Sequence, residues 1–197
     1  IYILSPRNMT QAAGMYNTLL KANEPGLIIE PLNAYRLKER LPENLGKFTV
    51  PIGVVEHVHS GTDITVVSYG STLRIVQEVI PSLESRGITI ELIDVQTLWP
   101  FDVENQCVES IKKTNRLAII DEDVPGGYSG YLLQQILEKQ GGYRYLDSKP
   151  VTLCSKVHRP AYGSDGDYFS KPNAEEIFKT LYQMMHEANP HRFPSLF

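Results

Sequence analysis

From Asp63 onward one unit recurs along the chain: a short β-branched run, a glycine or proline turn, then a longer segment with apolar residues three and four apart. Ile64-Thr65-Val66-Val67-Ser68-Tyr69 reads as a strand, and Leu73, Val76, Val79, Ile80 and Leu83 fall on one face of a helix that Gly87 ends. Residues 88–93 give a second strand. Asp102 is placed to cap a helix over about 103–113, and residues 116–120 give a third strand. After Gly126-Gly127 the spacing predicts a helix to about 139. A strand over 151–157 follows, and Pro172 or Asn173 starts a last helix through His186. Parallel neighbours need long crossovers, and helices supply them. The alternation therefore predicts an α/β domain, a three-layer arrangement of a mainly parallel sheet flanked by helices.

The first thirty residues carry a smaller strand–helix–strand unit. Residues 1–4 and 27–29 read as strands around a helix over about 9–21, and Asn23-Glu24-Pro25-Gly26 separates helix from second strand. Because Ile1-Tyr2-Ile3-Leu4 reads as the middle of a strand, the sequence is expected to be part of a longer protein. Residues 31–60 hold Pro31, Pro42, Pro51, Gly46 and Gly53 with little periodicity, and read as a surface linker.

The 197 residues carry 19 Lys and Arg against 23 Asp and Glu, a formal charge of −4. That balance argues against a nucleic-acid surface, which needs clustered positive charge. With 42% hydrophobic residues the chain can bury a substantial core, yet no apolar run approaches the ~20 residues that span a bilayer. Cys107 and Cys154 form no C-x-x-C pair and read as reduced thiols of a cytoplasmic protein.

No complete active site is legible. Tyr69-Gly70-Ser71-Thr72 lies at a strand-to-helix junction and reads as a tight turn with a Ser or Thr cap rather than an anion site. In Asp121-Glu122-Asp123-Val124-Pro125-Gly126-Gly127, Glu122 is expected to bond the amides of the glycine turn. Asp165-Gly166-Asp167 reads as a loop. His57 and His59 are two apart in the linker without a visible carboxylate partner, and His158, at a strand end, is the best-placed histidine.

Four segments together resemble the β-type half of the thiamine-dependent 2-oxo acid dehydrogenases. One is Pro6 to Pro31 with Tyr35-Arg36, which in that family closes the pyrimidine-binding domain. Residues 61–70 fit G-x-D-x-T-x-x-x-Y-G, the opening of the transketolase C-terminal domain. Residues 90–102 are similar to E-V-I-D-L-R-T-L-x-P-x-D, and Lys113-Thr114-Asn115-Arg116-Leu117 leads to Glu122 and Gly126-Gly127. Two departures stand out. Gln96 replaces the family's Arg, and residues 157–169 replace its D-x-P-x-P region, as in a subgroup whose α and β halves are fused.

The resemblance implies a remnant of the pyrimidine-binding domain plus linker over 1–48 and a transketolase C-terminal-like domain over 49–197. It implies thiamine diphosphate and magnesium in the full-length enzyme, but no cofactor, metal or catalytic residue in this stretch. Asp94, Thr97, Asp102, Glu122, Gly127 and His158 are the structural or interface candidates. A homodimer through the C-terminal domain and a lipoyl acyltransferase component are the implied partners, without nucleic acid or membrane. The implied activity is oxidative decarboxylation of a 2-oxo acid, of the branched-chain 2-oxoisovalerate type. A transketolase-type or deoxyxylulose-phosphate synthase-type enzyme, and a non-catalytic assembly module, are the alternatives. The apolar tail 193–197 is expected to pack on a neighbouring subunit.

Overall fold

A computed structural model describes the chain except for Leu41, Ser164 and Phe197 and the side chain of Asn33. The N-terminal unit is β1 (Tyr2–Leu4), α1 (Met9–Leu19) and β2 (Gly26–Ile28), with a 3₁₀ turn at Leu32–Arg36. Asn8 starts α1 by accepting the Gln11 amide on its side-chain oxygen at 2.8 Å. The larger unit runs β3 (Glu56–His59), β4 (Ile64–Ser68), α2 (Gly70–Glu84), β5 (Ile90–Asp94), β6 (Thr97–Trp99), α3 (Gln106–Thr114) and β7 (Leu117–Ile120). It continues through α4 (Tyr128–Leu133), which widens into a π-type segment Gln134–Lys139. A 3₁₀ turn at Gly142–Tyr145, β8 (Val151–Leu153), α5 (Gly166–Ser170) and α6 (Ala174–Ala188) complete it.

Five strands form the main sheet in the order β3-β5-β4-β7-β8. Four of them are parallel, and β3 runs antiparallel along the β5 edge. Successive strand residues face opposite sides, so each buried strand serves two cores. On one side Ile64, Val66, Ile90, Leu92, Ala118 and Ile120 meet the apolar faces of α2 and α6. On the other, Val67, Ile93, Leu117 and Ile119 meet α3 and α4. The mainly parallel, three-layer expectation is borne out.

Three local expectations are corrected, and one further strand is added. The stretch read as linker contains β3, whose Glu56-His57-Val58-His59 alternation suits an edge strand with one wet side. Residues 97–99, where the periodicity predicts no element, form β6, which pairs antiparallel with β1 and makes a separate three-stranded sheet, β2-β1-β6. Asp165-Gly166-Asp167 is no loop: Asp165 precedes the short helix α5. The tail packs on its own chain: Phe193 is buried against α6, Tyr182 donates to the Pro194 carbonyl at 2.9 Å, and Leu196 lies against the same core. Phe197 falls outside the described residues.

Candidate functional site

A buried charged cluster lies where the two sheets meet. Asp94 ends β5 with no exposed surface, so its carboxylate needs a cation inside the protein. Arg7, just after β1, supplies it: Nη1 lies 2.6 Å from Asp94 Oδ2 and 2.7 Å from Glu56 Oε2, and Nη2 lies 2.9 Å from Glu56 Oε1. Gln11 donates to Glu56 at 2.7 Å, and the Gln96 amide donates to Asp94 Oδ1 at 3.1 Å. Two carboxylates thus share one guanidinium. Burial pushes the Asp94 carboxyl up to about 6, against the pull of Arg7. Burial works to lower the Arg7 pKa too, but Glu56 and Asp94 together hold it above its ordinary value. Next along the chain, Thr97 Oγ1 accepts the Gly53 amide at 3.0 Å and ties β6 to the segment before β3. Gln96, at the family's Arg position, has a left-handed backbone (φ 56°) and donates to the Val54 carbonyl at 3.3 Å.

Asp102 works as a cap from further upstream than the sequence suggested. The helix begins at Gln106, not near 103, because Asp102 and Asn105 both adopt positive φ. The buried Asp102 carboxylate still accepts the Gln106 and Cys107 amides at 2.8 and 2.9 Å, satisfying two otherwise unbonded helix donors.

At the carboxyl ends of β4 and β7 the acidic run divides its roles in an unexpected way. The glycine turn is bonded by Asp121 and Asp123, not Glu122. Asp121 accepts the Asp123 and Ser129 amides at 2.9 and 2.7 Å and the Tyr69 hydroxyl at 2.6 Å, and Asp123 accepts the Val124 amide at 2.8 Å. Burial first, and then Asp121, raise the Tyr69 phenol far above its ordinary value and keep it a donor. A Cβ on Gly127 would stand 2.1 Å from Asp123 Oδ2, so a larger residue there would displace the carboxylate that bonds the turn. Glu122 faces outward instead, accepting the Ser71 hydroxyl at 2.6 Å with Lys171 Nζ 3.7 Å away. Neither Ser71 nor Thr72 caps α2; Tyr69 occupies that position without a side-chain bond.

The histidines do not converge. His158 is exposed and its Nδ1 lies 3.0 Å from the Arg159 carbonyl, at the surface and away from the sheet junction. His57 and His59 do have carboxylate partners, contrary to expectation: Glu91 at 3.0 Å and Glu84 at 3.3 Å. Glu91 is buried, which works against ionisation, but Lys113, the Gly61 amide and His57 hold its pKa below the ordinary value. Among the described residues no group of three His, Cys, Asp or Glu side chains is placed to hold a metal ion.

Residues 53–177 match the family described as transketolase, C-terminal domain. The chain belongs to that family. It is 31% identical over 178 residues to the pyruvate dehydrogenase E1 component subunit beta of Acholeplasma laidlawii, covering 89% of this chain and 52% of that protein. It is 32% identical over 156 residues to the mitochondrial 2-oxoisovalerate dehydrogenase subunit beta of Dictyostelium discoideum, covering 77% and 40%. The acetoin:2,6-dichlorophenolindophenol oxidoreductase subunit beta of Bacillus subtilis is 33% identical over 155 residues, covering 79% and 44%. The family chain thus spans about half or less of the length of these relatives. Among solved structures, a split-gene transketolase described as an inactive β4 tetramer superposes with a TM-score of 0.70 at 18% identity, over 92% of this chain and 56% of that one. That likeness bears out the fold. The resemblance to β-type dehydrogenase subunits agrees with the named relatives.

Periodicity could not pair Arg7 with Asp94, or place Glu56 on the same guanidinium, because Arg7 and Glu56 lie 87 and 38 positions from Asp94 along the chain. One signal was available. An aspartate closing the apolar strand Ile90-Glu91-Leu92-Ile93-Asp94 demands a buried cation, and Arg7, at the end of another strand, was the place to look.

Proposed function

We propose that this chain is the C-terminal part of the decarboxylating component of a cytoplasmic 2-oxo acid dehydrogenase complex, of the branched-chain type. In this reading, residues 1–48 are the end of a pyrimidine-binding domain and 49–197 are the domain that assembles subunits. The observation that carries the reading is the junction itself. The strand pair β1–β2 is completed by β6 of the larger unit and locked by Arg7 onto Asp94 and Glu56. Such an arrangement suits a scaffold that holds a second α/β domain in fixed orientation. The similarity to pyruvate and 2-oxoisovalerate dehydrogenase beta subunits supports the same assignment.

The whole enzyme would use thiamine diphosphate and magnesium, the cofactor supplying the electron sink for decarboxylation. Among the described residues no three His, Cys, Asp or Glu side chains converge to hold the magnesium. No chemical step is therefore assigned to them. Their work is orientation: Arg7 and Asp94 fix the angle between the sheets, and Thr97 and Asp102 fix the segment that turns between them. Exposed Trp99 and Val103 beside the half-buried Tyr131 supply an apolar face for a second subunit. The acyltransferase core is the further partner in this reading.

The test is a reconstitution. The full-length gene product is assayed for dye reduction with pyruvate, 3-methyl-2-oxobutanoate and acetoin, with thiamine diphosphate and magnesium present. Turnover of the branched oxo acid in preference supports the proposal. Two-carbon transfer between added sugar phosphates, followed by product analysis and without dye reduction, assigns the chain to a transketolase-type enzyme, and no turnover of any substrate makes it an assembly module.

A further inference from the structure

We infer that the outward face of α4 is a contact surface for a second copy of this chain, the two α4 helices lying antiparallel across a two-fold axis at Gln134. The inference rests on the assembly role proposed above and names the partner of the face that Trp99, Val103 and Tyr131 begin. That face continues as an open groove along α4 and its π-type extension, of about 480 Å³, lined by Gly130, Tyr131, Leu133, Gln134, Leu137 and Glu138. Tyr131, Leu133 and Leu137 pack against the core below yet remain partly open above it. Gly130 has nothing within 4 Å of the position a Cβ would take, so bare backbone is accessible at one end of the groove. The widened turn starts at Gln134, in the middle of this face, and such widenings recur at functional sites.

Shape and area select a second copy as the occupant. A two-fold interface presents one patch to itself, so each hole needs its projection on the same patch. Gly130 is the hole, and Leu137, on the same face, is the projection. Centred on Gln134, the antiparallel arrangement sets Leu137 and Glu138 of one helix against Tyr131 and Gly130 of the other. The backbones can approach closely where Gly130 has no side chain. Glu138 then meets Gly130 and not its own counterpart, so the pairing brings no like charges together. Beside the groove, Trp99 is 52% and Val103 59% exposed, with the Trp99 ring 6.0 Å from that of Tyr131. Taking about 150–250 Å² for each large aromatic side chain and less for the others, the face leaves roughly 500 Å² uncovered on each copy. Two copies would bury about 1,000 Å², the lower bound for a specific interface and the size of a reversible one.

Sedimentation velocity of the 197-residue chain reads the assembly, and Trp99, its single tryptophan, reports on the face itself. A monomer–dimer equilibrium in the micromolar range is expected. As concentration rises, Trp99 emission should move to the blue and lose access to acrylamide. Gly130→Leu fills the open space without touching the chain's own core and should weaken association about tenfold or more, with the melt unchanged or raised. Gln134→Arg and Gln134→Glu alter an exposed side chain, and each should weaken association by placing like charges at the axis. An equimolar mixture of the two should associate about tenfold more tightly than either alone, which only a two-fold contact at this residue produces. The charge variants carry the test if Gly130→Leu fails to fold. The inference is overturned by a monomer at every concentration, by a dimer that Gly130→Leu leaves intact, or by mixed charge variants that associate no better than each alone. The assay uses no substrate. A monomeric chain from a working dehydrogenase sinks this inference and leaves the functional reading, and a dimer without 2-oxo acid turnover does the reverse.

Discussion

Arg7→Met isolates the charge cluster that joins the two sheets. The Arg7 side chain is 12% exposed and Asp94 is fully buried, so the substitution strands a carboxylate without its cation. Breaking a buried pair in this way costs roughly 3–5 kcal/mol when the remaining charge has no escape. Asp94 does have one: its carboxyl already titrates at about 6 rather than its ordinary 3.8, so at pH 7 the variant can take up a proton. Without the pull of Arg7 that value rises further, so neutralisation at pH 7 costs about 1.4 kcal/mol at most. The lost charge-assisted hydrogen bonds add roughly 1.5–3 kcal/mol. We expect about 3 kcal/mol at pH 7, measured by urea unfolding with coincident circular dichroism and fluorescence transitions. At pH 5 Asp94 is protonated in both proteins, and the difference should shrink by about 1.4 kcal/mol. The sign in the parent follows from the same shift. A carboxyl raised in the folded state makes that state bind more protons between about pH 4 and 6, so its contribution is complete below pH 4 and lost as pH rises through 6. Arg7→Met/Asp94→Asn should recover stability relative to Arg7→Met. A pH-independent loss, or a double variant no better than the single, would refute the reasoning.

Other substitutions test the remaining structural claims. Asp102→Ala removes the acceptor for two buried amides and should cost about 1–3 kcal/mol in urea unfolding, while Asp102→Asn, which keeps one acceptor, costs less. Gly61→Ala places a Cβ 2.3 Å from the Ile90 backbone, where nothing can yield, and should prevent stable pairing of β4 with β5 as read by loss of the cooperative melt. Gly130→Ala meets nothing within 4 Å inside a helix and should stabilise the isolated chain by about 0.5–1 kcal/mol. If that face seats a second subunit, the same variant weakens self-association in sedimentation. Leu181→Ala, in the centre of α6 and fully buried against α2, should cost about 2–5 kcal/mol.

The strands and helices of the main sheet were legible because each buries one or two faces and writes that burial into its period. Ile64 to Ser68 and Leu117 to Ile120 are buried at every position, and α2 and α6 carry clean apolar stripes. What escaped has less to bury. Strand β3 keeps two histidines and a glutamate on a half-wet edge, and β6 is three residues long, recognisable only by the strand it joins. The roles within Asp121-Glu122-Asp123 were invisible for another reason. Alternation sends Asp121 and Asp123 back toward the turn amides and leaves Glu122 facing Ser71 from α2, 51 positions earlier. Composition cannot rank three adjacent acids; the partner each one meets does.

The buried aspartates among the described residues fall at places where elements change direction. Asp94 sits where β5 gives way to β6, Asp102 where β6 turns toward α3, and Asp121 where β7 turns toward α4. Each satisfies backbone amides that a change of direction leaves unbonded. A buried acid is a costly way to stabilise a fold, since an apolar replacement of the whole pair often does as well. It is an effective way to fix an angle, because its partners must occupy particular positions for the charge to be tolerated. Arg7 reaches from the first strand of one sheet to the last residue of a strand in the other. A reorientation of the N-terminal unit would therefore leave Asp94 without its cation, which is the energetic reason for the two sheets to hold one relative orientation.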